Sequence, residues 1–303
     1  MGDPEMGIKT RGRLTQLVVW FLFIVAFFCV SARLGTKYAM RRTLALDDVL
    51  IILSQVFYLV QCITITLAIS TAFDPNSTTI SGETLDLFLK FNYVSISFVI
   101  ITLAFIKWSA LDFVKTLSPV RLYRQIVIAL SVFISLWLVA AVALNIFQCA
   151  LPTPWDYING TRCINRPAWW TFVALLNILT DLALISLYIL IFRKLQIATI
   201  KKVAIIAGFC TRLIVVALSA AQLAAFYNGG EDQASVESIW LVVVLNQAVI
   251  SSSAITACVP YLRPFMEGLQ SGIIHVNRTS TDEEDIVRLN VLPSSNDSSW
   301  ARK

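Results

Sequence analysis

The sequence predicts an all-α membrane protein, a seven-transmembrane helix bundle with its N-terminus outside and its C-terminus in the cytosol. The 303 residues are 57% hydrophobic and only 14% charged, a balance that soluble domains of this size do not have. Apolar runs long enough to cross a bilayer recur along the chain. The basic residues gather in alternate connectors, the pattern that sets the orientation of membrane proteins.

Seven apolar runs supply the predicted helices. The first extends from Leu14 to about Ala32 and ends in a Val-Ser-Ala tripeptide like a cleavage site. Because its roughly 19 residues exceed a typical signal-peptide core, a retained helix is favoured over a signal peptide. The other runs are 47–70, 85–110, 125–147, 169–193, 203–226 and 236–259. Residues 1–13 then form a short extracellular N-terminus, 14–263 the membrane domain, and 264–303 a mostly disordered cytosolic tail.

Positive charge decides the predicted orientation. The second, fourth and sixth connectors carry only Arg162 and Arg166, whereas the odd-numbered connectors hold Arg33, Lys37, Arg41, Arg42, Lys115, Arg121, Arg124, Arg193, Lys194, Lys201 and Lys202. The positive-inside rule places these odd connectors in the cytosol. The glycosylation sequons at Asn76 and Asn159 then lie outside. The sequons at Asn277 and Asn296 lie inside, where we expect them to remain unmodified.

The longest loop, residues 148–168, contains Cys149 and Cys163. On the predicted outer side both thiols face an oxidising space, so a disulfide is favoured over two free thiols. Closing this loop stabilises the fold by roughly 3 kcal/mol. We expect the tied loop to cover the mouth of the bundle as a lid.

Polar side chains within the apolar runs form the candidate site. Asn177 and Asp181 lie one helical turn apart in the fifth run, where a carboxylate is costly and needs a partner. Arg212 in the sixth run lies at a similar predicted depth, so the two can pair. A polar mid-membrane pocket is predicted from Asn177, Asp181, Arg212, Asn246, Gln247 and Gln61. For the amides, hydrogen bonding between helices is favoured over ligand binding, while for the ion pair both roles stay open.

Lys107 lies near the predicted cytosolic end of the third run. Its long side chain can snorkel outward to water. The favoured alternative is an ion pair with Asp47 or Asp48, which would join the second and third helices at the same membrane face. The two aspartates also suit the positive end of the second helix.

Several classes of function are excluded by the composition. The single histidine, His275, lies in the tail, so the membrane domain has neither Ser-His nucleophiles nor histidine metal sites. We expect no metal ligand set and no nucleic-acid partner, because the basic residues follow membrane topology. No internal repeat supports a transporter.

Short motifs in a fixed order link the chain to a known family. They are Leu46-Asp47-Asp48, Lys107-x-Ser109-Ala110-Leu111-x-Phe113, Cys149 with Pro152, Trp155 and Cys163, Asn177-Ile178-x-x-Asp181, Gly208 with Arg212, and Ala257-Cys258-x-Pro260-Tyr261-Leu262-x-Pro264. Together they resemble the fungal rhodopsin-like integral membrane family, which includes the satratoxin-cluster membrane protein and is related to fungal seven-helix receptors. The chain departs from it at Val114-Lys115 and lacks the receptors' cysteine-rich domain.

The expected function is to bind or handle a small apolar molecule in fungal secondary metabolism or sensing. Retinal is not expected, because residues 236–262 contain no lysine for a Schiff base. The alternative is a membrane-embedded enzyme of cyclase or isomerase type that uses Asp181 as its acid or base. Either protein would be multi-pass in the plasma membrane or an endomembrane, with the lipid bilayer as its first partner.

Overall fold

Seven helices make up the described part of the chain. The computed structural model describes residues 4–41, 45–72, 82–117, 120–150, 152–157, 163–194, 211–228 and 240–259. The helices are α1 (Pro4–Arg41), α2 (Leu46–Ala72), α3 (Gly82–Leu117), α4 (Arg121–Ile146), α5 (Arg166–Lys194), α6 (Arg212–Asn228) and α7 (Trp240–Val259). All except α6 are long and apolar enough to cross a membrane. The predicted fold class is confirmed, while the orientation of the termini stays a prediction.

Two helices extend further than their apolar runs predicted. The first run was expected to end near Ala32, but α1 runs from Pro4 to Arg41. It therefore includes most of the predicted N-terminal segment and of the first connector. Likewise α3 continues past Ala110 to Leu117. The polar residues at these helix ends belong to helical turns. Hydropathy alone would assign the same residues to connectors. The first half of the predicted sixth run, residues 203–210, lies outside the described residues.

The helix α3 is the most enclosed of the described spans. Of the most apolar 18-residue stretch of α3, 67% of the residues are buried, whereas the corresponding share is 22% in α1 and in α4. The peripheral helices α1 and α4 present large apolar side chains outward, among them Leu17, Phe21, Phe28, Leu136 and Val139. Since apolar side chains on the outer surface of a bundle suit contact with lipid tails, this distribution fits a bilayer environment.

Four helices meet at the buried guanidinium of Arg33 on α1. Its Nη2 donates to Asp47 Oδ2 of α2 at 2.7 Å and to Ser109 Oγ of α3 at 3.2 Å. Its Nη1 donates to the carbonyl oxygen of Ala257 on α7. Lys37, one turn further along α1, lies 2.7 Å from both Asp47 and Asp48. Charges that the sequence analysis assigned to an exposed connector therefore join α1 to the bundle.

The loop between α4 and α5 is tied to itself and to α3. Cys149 and Cys163 form the predicted disulfide. Trp155 Nε1 donates to Asp86 Oδ1 on α3 at 2.6 Å, and Lys90 holds the other oxygen of the same carboxylate at 2.6 Å. The Lys90 ammonium also lies 4.8 Å from the centre of the Trp155 ring. The sequons at Asn76 and Asn159 lie outside the described residues.

Candidate functional site

Three charged side chains meet between α3, α5 and α6, and we call them the ion triad: Lys107, Asp181 and Arg212. Asp181 Oδ1 lies 3.1 Å from Lys107 Nζ and 3.4 Å from Arg212 Nη1. Each residue is 3% exposed or less. The contact expected between Asp181 and Arg212 is confirmed, and Lys107 adds a second cation to it.

The predicted pairing of Lys107 with Asp47 or Asp48 is wrong. Its ammonium instead donates to Thr180 Oγ1 at 2.6 Å and to the Asn177 carbonyl oxygen at 2.9 Å, beside Asp181. The cause is the rotation of α3. Ser109 Oγ donates to the Asp47 carbonyl oxygen of α2 at 2.9 Å, and Lys107, two positions earlier, lies about 200° around the helix from Ser109. Lys107 is therefore level with the start of α2 but faces α5.

The ion triad carries an excess of positive charge. Two cations share one carboxylate, and Asp181 Oδ2 and Asn177 Oδ1 have no hydrogen-bond partner among the described residues. Asn177 Nδ2 donates to Ser219 Oγ of α6 at 3.0 Å. Removing one partner of such a buried cluster is strongly destabilising, because it strands another charge away from water.

A second polar group, the amide layer, connects α2, α3, α6 and α7. Gln61 Nε2 donates to Ser95 Oγ at 3.2 Å, and Gln247 Nε2 donates to Gln61 Oε1 at 2.9 Å. In the same layer Gln222 Nε2 donates to Asn246 Oδ1 at 2.7 Å. These are hydrogen bonds between helices, the arrangement favoured for the amides from sequence.

A cavity of about 70 Å³ adjoins the amide layer and lies between α2, α3, α5, α6 and α7. Its polar lining comes from Gln61, Asn92, Ser95, Asn246, Tyr157 and Arg166. Its apolar lining includes Ile65, Ile96, Val99, Trp170, Phe226 and Val243. Tyr157 belongs to the disulfide-tied loop, so that loop contributes directly to the cavity wall.

The polar residues predicted as one pocket are divided between two levels. Gln61 and Asn246 line the cavity, whereas Asn177, Asp181, Arg212 and Gln247 do not. The distance between the two levels can be measured along α3, because Ser95 of this helix belongs to the amide layer and Lys107 belongs to the ion triad. These residues are twelve positions apart, or about 18 Å along the axis. Depth counted from helix ends could not resolve this separation, because neighbouring helices begin and end at different heights.

Most residues that line the cavity were not recognised as site residues from sequence, and Arg166 and Ser95 are two of them. Arg166 was counted only for topology, yet its Cζ lies 3.4 Å from the centre of the Tyr157 ring. Ser95 is one of many small polar residues in apolar runs, which carry little signal alone. The position of Arg166 gave a hint, since it stands immediately before an apolar run in a connector that has few cations.

The cavity, the ion triad and the disulfide all fall within a single family match. A family model described as the fungal rhodopsin domain matches residues 32–268. The match covers most of the chain and includes every described helix except the first part of α1. It confirms the resemblance noted in the sequence. No curated protein matches the chain.

Proposed function

The chain belongs to the fungal rhodopsin domain family of multi-pass membrane proteins, and we propose that it binds a small, largely apolar molecule inside its helix bundle. The observation that carries this proposal is the cavity beneath the α4–α5 loop. Five helices contribute to its lining. Concave sites with mostly apolar walls and a few convergent polar groups are the usual form of small-molecule sites.

The size of the cavity sets the scale of the ligand. Its volume of about 70 Å³ is several times the roughly 10–15 Å³ that one water requires on the same measure. A short aliphatic chain or a single ring matches this space. Gln61, Asn92 and Asn246 can donate or accept hydrogen bonds, so they can orient a polar end of the ligand.

The bound molecule would serve sensing or the handling of a secondary metabolite. A ligand in this position contacts five helices at once. If it binds one arrangement of these helices more tightly than another, it shifts the equilibrium towards that arrangement. The ligand would be held without a covalent bond. Retinal is not proposed, because α7 contains no lysine to form a Schiff base.

Asp181 is assigned a structural role in this proposal and not the role of a catalytic acid. It does not line the cavity, and its Oδ1 faces both Lys107 and Arg212. An acid catalyst must lie within hydrogen-bond reach of its substrate, and Asp181 is not in reach of a ligand held in the cavity.

Filling the cavity tests the proposal. Ala225 lines the cavity on α6, whereas the adjacent Ala224 is exposed on the same helix. We expect short alcohols such as 1-hexanol to raise the unfolding temperature of the wild-type protein in lipid nanodiscs. Ala225→Phe should abolish this stabilisation, and the matched control Ala224→Phe should retain it. Equal stabilisation of both variants would show that the alcohol binds elsewhere and would contradict the proposal.

A further inference from the structure

The cavity contains a guanidinium that no carboxylate of the described residues neutralises. Arg166 begins α5 and lines the cavity. None of the Asp or Glu side chains described lies within ion-pair distance of it. The buried arginines Arg33 and Arg212 differ, because Arg33 pairs with Asp47 and Arg212 pairs with Asp181. Within the described part of the chain, the charge of Arg166 is therefore not balanced by a carboxylate.

The Arg166 guanidinium is held in place by an aromatic ring. Its Cζ lies 3.4 Å from the centre of the Tyr157 ring, a stacked cation–π contact. The Tyr157 side chain also takes part in a hydrogen bond with the guanidinium, and the other N–H groups of Arg166 can donate to a further group. The Nε atom of Arg166 has no hydrogen-bond partner among the described residues. A planar fork of donors suits the two oxygens of a carboxylate.

The rest of the cavity agrees with a ligand that is anionic at one end. No Asp or Glu is among the described residues that line it, so none of these side chains repels a carboxylate. One turn further along α5, Trp170 carries an indole N–H that finds no hydrogen-bond partner in the described part of the chain. The other described lining residues are uncharged, and most of them are apolar, among them Ile96, Val99 and Val243. Such a wall suits a hydrocarbon body and would reject a second charge.

From this combination we infer that the cavity selects a small amphipathic carboxylic acid, with the carboxylate on Arg166 and the hydrocarbon part among the apolar side chains. The inference rests on the proposed function of the cavity and narrows its ligand to one chemical class. Arg166 is then the residue that determines specificity. It distinguishes an acid from an amide or amine of the same shape.

Three probes of one shape test the inference: hexanoate, hexanamide and hexylammonium, each titrated at neutral pH against the wild-type protein in nanodiscs. Binding is measured as the rise in unfolding temperature. We expect hexanoate to act at about tenfold lower concentration than hexanamide, the preference that one charge-assisted contact supplies. Hexylammonium should give no stabilisation. This comparison needs no variant, so it does not depend on the folding of a mutant.

Variants of Arg166 then assign the preference to this residue. Arg166→Gln should bind hexanoate and hexanamide equally, and Arg166→Lys should restore part of the preference through its charge. Arg124→Gln, the same change at an exposed arginine of α4, should leave the tenfold preference unchanged.

The outcomes separate this inference from the proposed function. Equal binding of hexanoate and hexanamide by the wild type, with both lost in Ala225→Phe, would overturn the inference and leave the cavity as a ligand site. A preference that persists in Arg166→Gln would also overturn it. If neither probe stabilises the wild type, the inference and the proposed function both fail.

Discussion

Lys107 Nζ and Asp181 Oδ1 lie 3.1 Å apart in the interior of the bundle, joining α3 to α5. Arg212 approaches the same oxygen from α6. The carboxylate is therefore the common partner of two cations on different helices. Loss of the carboxylate should therefore lower the stability of the protein more than loss of either cation.

Asp181→Asn should destabilise the protein more than Lys107→Gln or Arg212→Gln. The asparagine leaves two buried cations without a counterion, whereas either glutamine leaves one cation paired with Asp181. Stranding a buried charge costs roughly 3–5 kcal/mol. Denaturant or thermal unfolding in a bilayer mimetic measures how much stability each variant loses. Asp112→Asn, at a partly exposed carboxylate of α3, is the control. An effect of Lys107→Gln as large as that of Asp181→Asn would contradict the prediction.

Arg33→Met should loosen α1 from the bundle without unfolding the other helices. The guanidinium holds Asp47 of α2, Ser109 of α3 and the Ala257 carbonyl of α7, and methionine fills a similar volume without these bonds. Amide hydrogen exchange should increase in α1 and near the start of α2. Arg124→Met on α4, where the side chain is exposed, serves as the matched control. Exchange in α1 that matches the control would show that these bonds do not anchor the helix.

Reducing the Cys149–Cys163 bond should lower stability and weaken ligand binding together. The bond closes a short loop, with its cysteines 14 positions apart, and such a loop contributes roughly 3 kcal/mol. It also restrains the segment that brings Tyr157 to the cavity. Unfolding temperatures with and without reductant measure the first effect, and 1-hexanol titration measures the second.

The control for the disulfide is Cys29→Ser, because Cys29 is a free thiol on α1. This variant should respond to reductant as the wild type does, whereas Cys149→Ser combined with Cys163→Ser should not respond. If the double variant is as stable as the wild type, the disulfide does not contribute to the fold in the way proposed.

Glycosylation tests the predicted orientation. If the N-terminus is outside, the sequons at Asn76 and Asn159 face the lumen during synthesis and become modified, whereas those at Asn277 and Asn296 do not. Removal of N-glycans should shift the gel mobility of the wild-type protein. Asn76→Gln combined with Asn159→Gln should abolish the shift, and the corresponding pair at Asn277 and Asn296 should not. The reverse pattern would invert the topology.

Much of the site could be anticipated because a charge in a membrane needs a partner. The depth of Asp181 in its apolar run predicted a cation on a neighbouring helix, and Arg212 lies there. Lys107 was misassigned because its height along α3 was considered without the rotation of the helix, which turns Ser109 towards Asp47 and Lys107 towards α5. Arg166 was overlooked because an arginine next to a loop ordinarily faces water.

The number of helices, the disulfide, the family and the need of Asp181 for a counterion could be predicted from the chain alone. Apolar runs, the order of short motifs and the cost of a charge in hydrocarbon can all be read along one chain. The packing of the helices was needed to show that Lys107 joins Asp181, that the amide layer lies about 18 Å from the ion triad along α3, and that Arg166 lies in the cavity wall. Hydropathy gives a position along one helix. The rotation and relative height of neighbouring helices come from the packing of many side chains at once, which a single run of residues does not encode.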